Sequence, residues 1–100
     1  MIYRSRTDIT KEILDAANGG TTKTKIMYKA YLSYAQLQEY LGMLIENGLI
    51  RQNSPEMTFI TTAKGVHYLK VYDQMSEISN HFRTINSSEI TLSSPTRRWG

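Results

Sequence analysis

The apolar stripe Leu37, Leu41, Leu44 and Ile45 runs at helical spacing straight into Asn47-Gly48, and two runs too short for helices follow it. Leu49-Ile50-Arg51-Gln52 reads as one strand, Asn53-Ser54-Pro55-Glu56 as a turn, and Met57-Thr58-Phe59-Ile60-Thr61 as the returning strand. A lone two-stranded hairpin is marginal in water, so this one must lean on the helices around it. That dependence restricts the chain to a mainly α, α+β arrangement in which one hairpin is packed among helices.

The helices can be placed from their stops. Ile9, Ile13, Leu14 and Ala17 share one face of a first helix that begins near Thr7 and Asp8 and ends at Asn18-Gly19-Gly20. A short second helix fits residues 22–29, with Thr21 or Thr22 as its cap and Ile26 and Met27 turned inward. Ser33 caps the third, Leu32 before it is placed for a hydrophobic staple, and Tyr34 and Tyr40 flank the buried stripe. The last helix starts around Thr62 and runs to about Phe82 or Arg83. Ala63, Val66 and Leu69 face the domain core. Tyr68, Val71, Met75, Ile78, Phe82 and Ile85 alternate three and four residues apart, which is the spacing of a coiled-coil seam. Residues 86–100, rich in Ser and Thr and containing Pro95, are expected to be mobile.

Composition removes several functions. The chain has 100 residues and no cysteine, so disulfides, thiolate metal sites and cysteine nucleophiles are out. His67 and His81 lie too far apart on one helix to pair on a metal, and no Ser-His-Asp set or glycine-rich phosphate loop is present. A non-enzymatic chain without cofactor or small-molecule ligand is expected. No run is long and apolar enough for a membrane span or a signal peptide, which suits a cytoplasmic, nucleoid-associated protein. The net charge of +3 is unevenly placed. Residues 1–29 hold six Lys or Arg against three Asp or Glu, residues 30–85 four against five, and the last fifteen two against one. Such a balance permits an anionic partner.

Three segments, in this order, resemble the archaeal winged helix-turn-helix DNA-binding proteins and transcriptional regulators. They are "DITKEILDAANGG", "LSYAQLQEYLGMLIENGLI" and "FITTAKGVHYL", and the likeness covers roughly residues 7–72. The pair "NGLI…ITTAKG" is its most specific part. The long last helix is similar to that of dimeric members, which pair through a C-terminal coiled coil. The resemblance implies a basic N-terminal arm (1–6), a winged helix-turn-helix domain of three helices and a two-stranded wing (7–61), a dimerisation helix (62–85) and a flexible tail (86–100).

It also implies the chemistry of duplex binding. A B-DNA major groove admits one helix, which reads base edges with its outward side chains. On the third helix Ser33, Tyr34, Gln36 and Gln38 supply donors and acceptors near the N-terminus, and a glutamine is able to bridge two atoms of adenine. Ala35 lets the backbone approach. Glu39 would repel phosphate unless it faces a cytosine amine. Phosphate contacts supply most of the affinity, and this helix holds no Lys or Arg, so they must come from elsewhere. Thr22, Lys23, Thr24, Lys25 and Lys29 on or before the second helix are candidates, with Arg51 in the wing and Lys64 at the start of the last helix. Arg4 and Arg6 form an arm for the minor groove.

Seven tyrosines could suggest base stacking, but Tyr28, Tyr31, Tyr34, Tyr40 and Tyr68 fall mostly at or beside positions read as buried, which favours core packing. The seam favours a homodimer and a palindromic operator. Two alternatives stand beside a sequence-specific regulator. One is a winged helix used as a protein-interaction module, favoured by Glu39 and Glu46 on the exposed face. The other is an architectural chromatin protein, which usually carries a larger basic excess.

Overall fold

The computed structural model describes the backbone of residues 4–92 and the side chains of residues 4–80. Its order is α1 (Arg6–Ala17), β1 (Thr21–Thr22), α2 (Lys23–Ala30), α3 (Tyr34–Glu46), β2 (Ile50–Asn53), β3 (Thr58–Thr61) and α4 (Ala63–Leu92). The chain divides into two units, residues 1–70 and 71–100.

Local signals explain most boundaries. α1 starts at Arg6, earlier than expected, because Ser5 and Asp8 form a capping box. The Asp8 N–H donates to Ser5 Oγ at 3.0 Å and the Ser5 N–H to Asp8 Oδ2 at 3.2 Å. Ser33 and Gln36 repeat the device at α3. α3 ends in a Schellman motif: Leu49 N–H bonds Leu44 O at 2.9 Å, Gly48 N–H bonds Ile45 O at 3.0 Å, and Gly48 takes a φ of +76°. The left-handed conformation that a glycine adopts at no steric cost is what turns the chain out of α3 into the wing.

The wing differs from the expected hairpin in one respect: it has a third strand. The order is β1-β3-β2, all antiparallel, with Thr21 opposite Phe59 and Ile50 opposite Thr61. β1 is only Thr21–Thr22, too short to show a period, and it forms because β3 offers a free edge. The chain just before α2 is thereby fastened to the wing. Met57, expected in the returning strand, lies in the turn with a φ of +57°.

The core is built from one face of each helix and the inner wing residues. Ile13, Leu14, Ile26, Leu37, Leu44 and Ile50 are its largest fully buried side chains. Tyr40, Leu41 and Phe59 join them, and so does Leu32 at the staple position before Ser33. Each such aliphatic side chain contributes about 2 kcal/mol of transfer free energy. Thr61 is buried, and its hydroxyl donates to the Leu14 carbonyl at 2.7 Å, so the polar group is satisfied.

Several packing expectations are corrected. Ile45 is exposed rather than part of the buried stripe, since Leu37, Tyr40, Leu41 and Leu44 already complete it. Of the three α4 residues assigned to the core, Leu69 is buried, Val66 half-buried and Ala63 exposed. Tyr68 packs against the domain core and not on a free seam. α4 continues to Leu92, so residues 86–92 of the expected tail are helical, and residues 93–100 lie outside the described residues.

The two most specific pieces of the family resemblance meet in space. The Thr62 N–H bonds Leu49 O at 3.0 Å and its hydroxyl donates to Gly48 O at 2.6 Å. The same hydroxyl oxygen accepts from Gly65 N–H at 3.1 Å, which caps α4. Lys64 Nζ donates to Asn47 O at 2.9 Å. A Cβ on Gly65 would come within 3.0 Å of both the Leu49 carbonyl oxygen and Thr61 Cγ2. Glycine stands there because the helix start and the wing entry touch backbone to backbone.

Candidate nucleic-acid interface

α2 supplies the charge. Its sequence KTKIMYKA contains Lys23, Lys25 and Lys29 and no acid. Thr22 caps it, accepting from the Lys25 N–H at 3.3 Å. Ile26 and Ala30 bury the inner face, which leaves Thr24, Lys25, Tyr28 and Lys29 in solvent. Lys25 is an exposed cation beside the helix N-terminus, whose first N–H groups and partial positive charge also favour anions. Lys29 lies by α1 instead, lining a shallow hollow with Glu12, Asp15 and Ala16. Glu12 there pairs with Arg4 and Asp15 with Lys11.

α3 supplies the readable face. Leu37, Tyr40, Leu41 and Leu44 hold it to the core, so Ala35, Gln38, Glu39, Gly42 and Glu46 face outward. Nothing lies within 4 Å of a Cβ placed on Gly42, so the middle of this face is open. Ser33 and Gln36 are engaged with each other: Gln36 N–H donates to Ser33 Oγ at 3.2 Å, and Ser33 N–H donates to Gln36 Oε1 at 3.0 Å.

Lys23 joins the two helices. It is half-buried, donates to Gln38 Oε1, and sits 5.3 Å from the Tyr34 ring centroid and 5.9 Å from that of Phe59. The N-terminus of α2 and the first half of α3 meet through this side chain. Thr22, Lys23, Tyr34 and Gln38 come together here; Arg51 on β2 and Lys64 on α4 belong to other elements. Arg51 is exposed, while the Lys64 ammonium closes the C-terminus of α3 through Asn47 O, where the helix dipole favours a cation.

The expected N-terminal arm is corrected at Arg4 and Arg6, while its residues 1–3 lie outside the described residues. Arg4 pairs with Glu12 and donates to Ala30 O at 2.6 Å and Tyr31 O at 3.2 Å. Its guanidinium holds the turn between α2 and α3, where Tyr31 takes the unusual φ of +54°. The Arg6 guanidinium carbon lies 5.0 Å over the Tyr40 ring. Neither is part of a free arm.

The tyrosine expectation also fails in part. Tyr40 is buried, but Tyr28, Tyr31 and Tyr34 are 72%, 81% and 60% exposed. The signal was present: Tyr28 stands two residues from both Ile26 and Ala30, which places it opposite the buried face. Among the described residues no group of three His, Asp or Glu is placed to hold a metal ion. Among them, too, no helix is long and apolar enough to cross a membrane.

The helix-turn-helix of α2 and α3, followed by a wing that returns into a long helix, defines the class, and this chain belongs to the winged helix-turn-helix family. The family model matches residues 3–80. The chain is similar to the uncharacterized protein MJ0287 of Methanocaldococcus jannaschii, with 32% identity over 85 residues, covering 84% of this chain and 79% of that one. Its fold is similar to the crystal structure of Sso10a-2, a DNA-binding protein from Sulfolobus solfataricus. The TM-score is 0.77 at 20% identity, over 93% of this chain and 100% of the other. Both relatives come from archaea, the group to which the sequence resemblance pointed. The winged helix-turn-helix is a binding fold, and the non-enzymatic reading of the sequence agrees with the family.

Proposed function

We propose that this chain binds double-stranded DNA as a homodimeric, sequence-specific transcriptional regulator, with α3 in the major groove. The observation that carries the reading is the Lys23 bridge, which sets an acid-free, lysine-bearing α2 beside an open polar face of α3. α2 then contacts phosphates through Thr22, Lys23, Thr24 and Lys25, and α3 reaches base edges through Tyr34, Gln38 and Glu39. Arg51 adds a phosphate contact from the wing. The similar fold of Sso10a-2, a DNA-binding protein, supports the same reading.

Dimerisation rests on α4. Met75 and Ile78 are 63% and 68% exposed and Val71 is exposed with them, at four- and three-residue spacing. A second copy of α4 would cover this stripe. The side chains of Phe82 and Ile85, which continue the pattern in sequence, lie outside the described residues. Ile78→Lys should give monomers in sedimentation velocity, and a persistent dimer would remove the seam.

The test of the function is fluorescence anisotropy of the full chain with a labelled duplex across a salt series. Affinity that falls steeply with salt supports the reading, since displaced counterions report phosphate contacts. No binding at low salt would favour the alternative, a protein-interaction module. One feature supports that alternative: the exposed Glu39 and Glu46, seven residues apart, put two carboxylates on one face of α3. Salt-sensitive binding without base preference would instead indicate an architectural protein.

A further inference from the structure

Tyr31 occupies a position whose backbone suits glycine. Its φ of 54° and ψ of 51° are left-handed, a conformation in which a Cβ crowds the following carbonyl. Backbone bonds and Arg4 impose it: the Tyr31 N–H bonds the Met27 and Tyr28 carbonyls, and Arg4 donates to the Ala30 and Tyr31 carbonyls. The ring is 81% exposed, so it adds nothing to the core that would offset the strained backbone. Tyr28 is 72% exposed, and its carbonyl accepts from the Tyr31 N–H at 3.3 Å. The two rings therefore leave the chain one turn apart.

The charge around the rings selects the partner. α2 carries no acid; Lys29 follows Tyr28, Lys25 lies one turn before it, and both lysines are exposed. The carboxylates by Lys29, Glu12 and Asp15, are paired with Arg4 and Lys11. Lysines beside exposed aromatic rings suit single-stranded nucleic acid, whose phosphates meet the cations and whose unpaired bases stack on the rings. A duplex offers only base edges in its grooves, because the base faces are covered within the stack. A duplex phosphate would engage a tyrosine hydroxyl and leave the apolar ring in water.

We infer that Tyr28 and Tyr31 form a stacking site for unpaired bases, so that the chain takes single-stranded nucleic acid at the C-terminal end of α2. The site goes beyond duplex recognition by α3 and does not depend on it. Tyr34, also exposed, stands on α3 beside Lys23 and is not part of it. The ligand is any strand with unpaired bases, since every base has a face to stack.

Fluorescence anisotropy of the full chain tests it, with a labelled oligothymidine and with a strand of equal length built of abasic sites. The two strands carry the same phosphate charge. The oligothymidine should bind more tightly, each ring contributing about fivefold or more. Tyr28→Ala and Tyr31→Gly should each lose that ring's share and leave duplex affinity unchanged. Tyr31→Gly should also melt within a few degrees of the parent, because glycine takes this φ without crowding. Tyr28→Phe with Tyr31→Phe should bind oligothymidine as the parent does, since stacking uses the ring and not the hydroxyl. Equal affinity for the two strands would overturn the inference. So would a double phenylalanine variant as weak as the alanine and glycine variants, which would make the hydroxyls phosphate contacts. Duplex affinity that falls with Tyr28→Ala as far as oligothymidine affinity would overturn it too, by placing the ring in the duplex interface. Each of these results leaves the placement of α3 in the groove standing.

Discussion

The junction of wing and α4 and the meeting of α2 with α3 both join two elements, yet they are held in different ways. At the junction almost every bond ends on a backbone carbonyl: Thr62 to Gly48, Lys64 to Asn47, and the Thr62 N–H to Leu49. Carbonyls at a helix end must be satisfied whatever the function, so this region serves the fold. Between α2 and α3 the outward contact is the half-buried Lys23 with the exposed Gln38. A pair of that kind adds little to stability. Under the proposed function it is the contact that faces the duplex.

Substitutions sharpen this contrast, the largest effects falling at the junction. Gly65→Val should cost about 3 kcal/mol or more, because the added atoms meet the Leu49 carbonyl and Thr61 where neither can retreat. Chemical denaturation would show it, and a Gly65→Val protein as stable as the parent would mean that the close approach is not made. Arg4→Met should cost about 1–2 kcal/mol, since it releases the Ala30 and Tyr31 carbonyls and unpairs Glu12. It should weaken duplex binding only indirectly, by loosening the turn. Were Arg4 a DNA-contacting arm residue, the same change would flatten the salt dependence and leave stability alone. Lys23→Ala with Lys25→Ala should change stability by only about 0.5 kcal/mol. That double change should instead lower duplex affinity and reduce the logarithmic salt slope by about one for each lysine. An unchanged slope would take α2 out of the interface.

The same contrast explains what could be read in the sequence. α3 was legible from its Ser33 cap to Asn47-Gly48 because periodic apolar residues and a glycine stop are local signals. The pairing of "NGLI" with "ITTAKG" was visible as a resemblance, and its cause, the contact at Gly65, appears only in three dimensions. β1 was missed because two threonines carry no period and their partner, β3, is distant in sequence. Arg4 was misread because a basic residue near the start looks like an arm until the α2–α3 turn folds against it. The bond of the Lys64 ammonium to the Asn47 carbonyl was not visible in the sequence either, since it joins residues 17 apart. Proximity to core positions in sequence suggested burial for Tyr28 and Tyr31, although the face of α2 was already filled by Ile26 and Ala30.

The central claim is that the α2–α3 surface, and not the junction, meets the duplex. Titration of isotope-labelled full chain with a short duplex, followed by amide chemical shifts, tests it most directly. The account predicts the largest shifts at residues 22–25 and 34–39, with residues 47–50 and 61–65 nearly still. Largest shifts on α1 or at the junction, with residues 22–25 and 34–39 unmoved, would contradict it.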